Sequence, residues 1–222
     1  MIDPLIDLPR DLLERYADWS FDEAYHHTPG RPTYRLDGVA ETRFVKVLPA
    51  SLERVLIDEV MRLRWAAEWL SVPELVEHGT DGELSWLMTR ALPGVDASVH
   101  PWCKGDPERL ATVLGAALRG LHDGVPVREC PFALPEADDG DQVVLHGDFC
   151  LPNVLLTGEV VTGFIDVGRL GIGDRWWDLA VGSASITRNC GPGHEEAFFA
   201  GYGLSPDRER VQRYREAYDA LP

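Results

Sequence analysis

The segment His146-Gly147-Asp148-Phe149-Cys150-Leu151-Pro152-Asn153, followed by Phe164-Ile165-Asp166, decides the fold of this chain. It places an aspartate, an asparagine and a second aspartate on a pattern that predicts strand, loop, strand, strand. Two carboxylates and an amide on one loop system contribute little to folding. They suit a divalent cation, because hard cations prefer oxygen ligands. The pattern therefore predicts a centre that orients a hydroxyl and holds magnesium for phosphoryl transfer.

The polar residues of this segment have positions that suit separate tasks. Asp148 follows the apolar strand Val143–Leu145, where a loop can present its carboxylate to the proton of an attacking hydroxyl. Asn153 offers an amide oxygen to a cation, and Asp166 ends the strand Thr162–Ile165 with a carboxylate for the same ion. Two ordinary Asp-containing turns are the alternative interpretation. Because both halves occur together between strands, we favour the metal centre.

An upstream strand and helix add a basic and an acidic residue. Lys46 lies in the apolar strand Phe44-Val45-Lys46-Val47, and a helix is predicted over Ser51–Leu70 with Ser51 as its N-cap. The predicted buried stripe of this helix consists of Leu52, Val55, Leu56, Val60 and Leu63. Glu59 falls on this stripe, and a buried carboxylate is costly unless it is paired. This favours an ion pair with Lys46 over the alternative, in which Glu59 reaches water.

The order of the predicted elements separates a strand-rich first part from a helix-rich second part near Leu92–Gly94. A helix is predicted over Pro107–His122, and the pattern from Asp174 onward is helical with a break near Cys190–Gly193. Antiparallel strands followed by helices favour the α+β class. The strands of the first part are predicted near Trp19–Tyr25, Thr33–Leu36, Arg43–Val47, Glu74–Glu77 and Leu84–Arg90.

The charge balance limits the classes of partner. The 222 residues carry 21 basic and 37 acidic side chains, a formal net charge of −16. Because phosphate binding needs a basic face, we expect no nucleic-acid partner. An acidic surface would suit a cationic substrate. Plain solubility is the alternative, and charge alone favours it.

Composition also bears on the cellular compartment. The N-terminal MIDPLIDLPRDLLERY lacks the pattern of a signal peptide, and no long apolar run spans a membrane, so we expect a cytoplasmic protein with no membrane partner. The cysteines form no C-x-x-C pair and no zinc-ligand spacing. We therefore expect four reduced thiols at Cys103, Cys130, Cys150 and Cys190.

Two stretches, VVLHGDFCLPNVLL and GFIDVGRLGIGDRWWDLA, closely resemble the 3′-phosphotransferases of the aminoglycoside phosphotransferase family, a branch of the protein-kinase-like fold. The likeness is densest over Val143–Leu179, and weaker likeness covers Arg43–Glu77, Trp86–Gly94, Cys130-Pro131-Phe132 and Tyr214–Leu221. It implies an α+β, bilobal protein-kinase-like fold. Residues 1–92 would form a small antiparallel-sheet lobe that binds the nucleotide, and residues 93–222 a larger helical lobe for catalysis and acceptor binding.

The resemblance also assigns roles to residues of the reaction centre. It implies ATP or GTP as phosphoryl donor and Mg²⁺ as cofactor. Asp148 would be the catalytic base, while Asn153 and Asp166 would be the metal ligands. Lys46 would contact the nucleotide phosphates with the support of Glu59.

Further positions are implied for the adenine and for the acceptor. The nucleotide loop would be His26–Pro32 with Thr28 in it, and the backbone of Arg90 and Leu92 would meet the adenine. The loop has one glycine and two prolines, where the family usually has a glycine-rich flap. The residues implied near the acceptor are Arg169, Asp174 and Asp219. Asp178 is interpreted as a brace for the catalytic loop.

The acceptor side departs from the family. The connection Asp123–Asp141 is short, and Arg188-Asn189 replaces an acidic pair. The leading hypothesis is phosphorylation of a small-molecule hydroxyl, on an aminoglycoside or another cationic antibiotic. The alternatives are a kinase of a small metabolite and a catalytically weak nucleotide-binding protein.

Overall fold

The computed structural model describes residues 8–25, 32–134 and 140–221. The chain folds into two compact units. The first unit runs to Ala67 and includes Pro73–Ala91, whereas the second includes Glu68–Val72 and everything from Leu92 onward. The predicted α+β class is confirmed, because a five-stranded antiparallel sheet precedes a helical unit. Among the helices of the described residues, none is long and apolar enough to cross a bilayer.

The first unit is built on one antiparallel sheet with the strand order β1-β2-β3-β5-β4. Its strands are β1 Ser20–Tyr25, β2 Thr33–Asp37, β3 Thr42–Pro49, β4 Leu75–Thr80 and β5 Leu84–Arg90. Val45 and Val47 of β3 are buried in a cluster that also contains Leu12 of helix α1, Arg10–Arg15. Side chains alternate across a strand, so Lys46 points to the opposite face of the sheet.

Helix α2, Glu53–Ala66, carries its buried residues at helical spacing. They are Leu56, Glu59, Val60, Leu63 and Ala66. The prediction that Val55 belongs to the buried stripe is wrong, because Val55 is 48% exposed. It lies one position before Leu56, about 100° around the helix, and so beyond the edge of the buried face. Ser51 does not cap the helix: it lies in a 3₁₀ turn, Ala50–Leu52, and makes no capping hydrogen bond.

In the described part of the second unit, five α-helices pack around short strands. The helices are α3 Trp102–Gly105, α4 Pro107–Gly124, α5 Trp176–Cys190, α6 Glu195–Tyr202 and α7 Arg208–Asp219. Helices α4 and α6 approach closely at two glycines. A Cβ on Gly115 would clash with the carbonyl oxygen of Phe198, and a Cβ on Gly201 would clash with that of Thr112. This close packing fixes α4, which carries His122 toward the core.

Several short strands of the second unit flank the predicted site residues. They are β6 Val95–Asp96, β7 Gln142–Leu145, β8 Val154–Thr157, β9 Val160–Phe164 and β10 Gly171–Asp174. Strand β7 leads directly into His146, and β8 starts directly after Asn153. The antiparallel pairs β7–β10 and β8–β9 therefore hold both ends of the segment His146–Asn153, which we call the HGD loop.

The expectation of four reduced thiols is wrong for one pair. Cys103 and Cys190 form a disulfide, with 4.9 Å between their Cα atoms. The two cysteines are 87 positions apart in sequence, so no local spacing could indicate the bond. It joins α3 to the end of α5, where the Nζ of Lys104 also donates to the carbonyl oxygen of Asn189 at 2.6 Å. Cys130 and Cys150 are reduced.

Candidate active site

A buried carboxylate binds the backbone at the start of the HGD loop. Asp178, in the first turn of α5, is fully buried. Its Oδ2 accepts from the backbone N–H of His146 at 2.7 Å, and its Oδ1 accepts from that of Gly147 at 2.9 Å. The same Oδ2 lies 3.1 Å from Nε2 of His122, whose Nδ1 lies 2.8 Å from the Tyr202 hydroxyl. Asp178 thus fixes the start of the loop through hydrogen bonds to its backbone.

His146 joins the two halves of the predicted centre. Its Nδ1 accepts from the backbone N–H of Asp148 at 3.2 Å, so its Nε2 carries the proton that bonds the carbonyl oxygen of Ile165 at 3.0 Å. Gly147 has φ +84°, and a Cβ there would clash with the carbonyl oxygen of Arg169. A glycine is therefore required at this position. The side chain of His146 is buried and tied up in structural bonds.

Asp148 presents a half-buried carboxylate with both oxygens bonded. Oδ2 accepts from Nδ2 of Asn153 at 3.0 Å. Oδ1 accepts from the hydroxyl of Tyr218, on α7, at 2.6 Å. The carboxylate is therefore oriented by an amide on one side, and it already binds a hydroxyl group on the other.

Asn153 and Asp166 fit a divalent cation. Nδ2 of Asn153 donates both to the carboxylate and to the backbone oxygen of Asp148, which leaves the amide oxygen as the acceptor for a cation. The backbone N–H of Ile165 donates to the backbone oxygen of Asn153 at 2.9 Å. This bond brings Asn153 next to Ile165, the residue before the exposed Asp166. Asp166 has φ +57° and ψ +55°, a left-handed conformation that aspartate tolerates better than most residues. Asn153 and Asp166 would together supply two hard oxygen ligands.

The first unit holds the predicted ion pair. Nζ of Lys46 lies 2.7 Å and 2.9 Å from the two carboxylate oxygens of Glu59. The Glu59 side chain is 8% exposed and the Lys46 side chain is 28% exposed. A buried carboxylate paired in this way orients the ammonium while leaving part of it accessible.

The residues predicted to meet the adenine lie at the end of β5 and just after it. The Arg90 side chain is exposed and pairs with Glu41 and Glu74, while its backbone N–H donates to the Glu74 carbonyl oxygen at 2.9 Å. Leu92 is partly buried at the start of the second unit's main segment. Thr28 lies outside the described residues.

The predicted acceptor residues differ in their surroundings. Asp219 ends α7 beside a surface pocket. Asp174 is 1% exposed, and its two oxygens accept from the Trp176 backbone N–H and the Tyr214 hydroxyl. Its carboxylate is therefore occupied by bonds within the protein. The guanidinium of Arg169 lies 5.9 Å from the ring centre of Trp177.

A surface pocket adjoins the HGD loop at Cys150, and we call it the α5–α7 pocket. Arg188 is exposed, and its guanidinium has no hydrogen-bond or ion-pair partner among the described residues. Arg215 is paired with Glu195 at 3.1 Å. The pocket thus offers one unpaired positive charge. Its lining includes Cys150, Ser185, Arg188, Arg215, Tyr218 and Asp219.

The sequence did not predict the contact of Tyr218 with Asp148 or the positive charge in this pocket. Tyr218 is 70 positions from Asp148, and a tyrosine in an amphipathic helix carries no sign of a polar contact. The replacement at Arg188 was visible in the sequence, but its place beside Tyr218 and Cys150 depends on how α5 and α7 pack. Burial raises the pKa of the Cys150 thiol, and the charge of Asp148 raises it further, so this cysteine stays protonated.

The chain is similar to known phosphotransferases in both sequence and structure. A family model described as the phosphotransferase enzyme family matches residues 128–214. An aminoglycoside 3′-phosphotransferase of Streptomyces ribosidificus is 32% identical over 86% of this chain and 94% of its own. The crystal structure of an aminoglycoside-3′-phosphotransferase of type VIII is 29% identical, covers 96% of this chain and 97% of its own, and superposes with a TM-score of 0.83.

A more distant structure supports the fold alone. An aminoglycoside phosphotransferase from Streptomyces rimosus, solved with ADP and streptomycin, is 23% identical, with 96% of this chain and 98% of its own covered and a TM-score of 0.75. The predicted bilobal, kinase-like α+β fold is confirmed by these superpositions. With the sequence likeness extending over nearly the whole length of a curated relative, this chain belongs to the aminoglycoside phosphotransferase family.

Proposed function

We propose that this protein transfers the γ-phosphoryl group of ATP to a hydroxyl of a small molecule, and that the acceptor is an aminoglycoside or another cationic antibiotic. One observation carries the proposal: the Asp148 carboxylate is oriented by Asn153 and binds a hydroxyl group at 2.6 Å. This is the contact that a catalytic base makes with an acceptor alcohol. Family membership supports the reaction class, and GTP remains an alternative donor.

Asp148 orients the acceptor and takes its proton. The hydroxyl oxygen attacks the γ-phosphorus, the bond from that phosphorus to the bridging oxygen breaks, and the proton passes to the carboxylate. Phosphoryl transfer needs little covalent help from the protein, so most of the rate comes from positioning. The hydrogen bonds that Asp178 accepts and Asn153 donates supply that positioning, since they fix the loop before any substrate binds.

Asn153 and Asp166 are the residues that would hold Mg²⁺. When bound, the ion neutralises charge on the nucleotide phosphates. Magnesium usually keeps several waters and takes only one or two protein carboxylates, which suits a site with one amide and one carboxylate. Lys46, held by Glu59, adds a positive charge for the phosphates.

The test is product formation with purified protein, Mg²⁺-ATP or Mg²⁺-GTP, and a panel of aminoglycosides. ADP or GDP release is measured together with the mass of the acceptor. We expect nucleotide consumption to match phosphorylated acceptor, and Asp148→Asn to be the inactive control. If every aminoglycoside stays unmodified at high enzyme concentration, the antibiotic assignment is wrong.

A second acceptor class is favoured by the charge of the α5–α7 pocket. A polycationic acceptor would meet the unpaired Arg188, with one carboxylate, Asp219, in the same lining. A hydroxylated metabolite that carries a carboxylate or phosphate would instead pair with Arg188. Adding such molecules to the same panel separates the two acceptors, because only one class should be phosphorylated efficiently.

A further inference from the structure

Tyr218 occupies the free side of the proposed catalytic base. Its hydroxyl donates to Oδ1 of Asp148 at 2.6 Å, while Oδ2 is used by Asn153. Its ring is half-buried and stands edge-on to Trp177, with 6.0 Å between the ring centres. Trp177 is itself fully buried, and its Nε1 donates to the carbonyl oxygen of Gly147 at 2.9 Å. The phenol is thus fixed against the HGD loop by packing as well as by its hydrogen bond.

An acceptor hydroxyl needs the contact that Tyr218 makes. A base must lie within hydrogen-bond reach of the proton it removes, and Oδ1 is the oxygen of Asp148 that faces a hydroxyl. Tyr218 also lines the α5–α7 pocket beside Cys150 and Asp219. Tyr218 therefore connects the pocket lining to Asp148, and an acceptor in this pocket would contact the Tyr218 side chain before it reaches the carboxylate.

Water is the competing nucleophile. If water reached Oδ1, it could attack the γ-phosphorus: a new phosphorus–oxygen bond would form, the bond to the bridging oxygen would break, and the proton would pass to Asp148. The products would be ADP and inorganic phosphate. Enzymes commonly avoid such side reactions by excluding water from the reacting groups.

We propose that Tyr218 is a plug on the catalytic base, which holds Oδ1 of Asp148 until an acceptor hydroxyl replaces it and so suppresses transfer of the phosphoryl group to water. This inference rests on the proposed function. Burial raises the pKa of the Tyr218 phenol, and the charge of Asp148 raises it further, so the hydroxyl remains a donor at neutral pH. Displacement by the acceptor, rather than ionisation of the phenol, therefore releases the base.

The experiment measures ADP release from Mg²⁺-ATP without acceptor, in the wild type and in Tyr218→Phe. We expect the variant to hydrolyse ATP about ten-fold faster, because a hydrogen bond to a charged group contributes about 1.5 kcal/mol or more. We expect the acceptor KM to fall by a similar factor. Tyr214→Phe is the matched control: it removes a hydroxyl one turn earlier on α7, which bonds Asp174 at 2.9 Å, and should leave hydrolysis unchanged.

Two results would overturn the plug. One is hydrolysis in Tyr218→Phe equal to that of the wild type and Tyr214→Phe. The other is a fall in kcat with an unchanged acceptor KM, which would make Tyr218 a positioning residue for Asp148. Tyr218→Leu, which also removes the ring, gives a second variant if Tyr218→Phe does not fold.

Failure of the plug can be told from failure of the proposed function. If wild-type protein forms a phosphorylated acceptor and Asp148→Asn does not, the function stands whatever Tyr218→Phe does. If Asp148→Asn consumes ATP as fast as the wild type with and without acceptors, the proposed function itself is wrong.

Discussion

The HGD loop and the α5–α7 pocket both rest on helix α5, but their charged groups are satisfied in different ways. Around the loop, the carboxylate of Asp148 and that of Asp178 on α5 are bonded on both oxygens by other groups of the protein. In the pocket, Arg188 has no partner among the residues that the structure describes. The loop is therefore held in place without a ligand, whereas the pocket leaves a charge for a ligand to satisfy. We therefore propose that the loop determines the reaction type and that the pocket determines the choice of acceptor.

The largest loss of stability is expected from removing Asp178, which binds the backbone of the HGD loop. Asp178→Ala leaves the backbone N–H groups of His146 and Gly147 buried without their acceptor. Each such donor costs about 1–3 kcal/mol, so we expect a loss of about 4 kcal/mol in the free energy of unfolding. Denaturant unfolding measures it, with the exposed Glu196→Ala as control at about 0.5 kcal/mol or less. Equal stabilities of the two variants would contradict a brace at Asp178.

Asp166 separates stability from activity within the proposed metal site. Asp166→Gly suits the left-handed backbone at φ +57°, so we expect the free energy of unfolding to stay within about 1 kcal/mol of wild type. Loss of the carboxylate should lower phosphoryl transfer roughly 100-fold or more. Chemical denaturation and the ADP-release assay are run on the same preparation. A variant that keeps its rate would remove Asp166 from the site.

The Lys46–Glu59 pair extends the comparison to the first unit. Lys46→Met leaves the buried Glu59 carboxylate without this ammonium, and we expect a loss of about 1–3 kcal/mol. The partial exposure of Lys46 favours the lower part of that range. The double variant Lys46→Met, Glu59→Leu should recover most of the stability, because an apolar pair can replace an ion pair, yet remain inactive. Recovery of activity in the double variant would contradict a phosphate-binding role for Lys46.

The smallest effect is expected in the pocket. Arg188→Gln should change the free energy of unfolding by about 0.5 kcal/mol or less, since the side chain is exposed. Removing a charge that repels a cationic acceptor at close range is worth about 1 kcal/mol, so its KM should fall roughly five-fold. For an anionic acceptor the KM should rise instead. Steady-state kinetics measure the direction of the KM change and so identify the acceptor class. Arg208→Gln, at the exposed start of α7, is the control.

The sequence predicts the parts of this protein that depend on local patterns. Alternating apolar residues predict the strand that carries Lys46, and the paired motifs place Asp148 and Asn153 on a loop between strands. Contacts between distant segments leave no such pattern. The disulfide between Cys103 and Cys190 and the bond from Tyr218 to Asp148 arise only from the packing of α3, α5 and α7.

One strand was not predicted and one local prediction failed, each for a physical reason. Strand β10, Gly171–Asp174, was not expected, because its glycines weaken an intrinsic strand pattern; pairing with β7 forms it. Ser51 does not cap α2, because the chain enters the helix through a 3₁₀ turn. Tertiary contacts outweigh local preference at both places.

The central claim is that the carboxylate of Asp148 drives phosphoryl transfer. The most direct measurement is kcat for phosphorylation of an accepted substrate by Asp148→Asn, beside the exposed Asp123→Asn as control. Removing a general base lowers rates by roughly 100-fold to 10,000-fold, so we predict a loss in that range for Asp148→Asn, with an unchanged thermal unfolding midpoint and a control of wild-type rate. A folded Asp148→Asn protein that transfers phosphate at the rate of Asp123→Asn would contradict the claim.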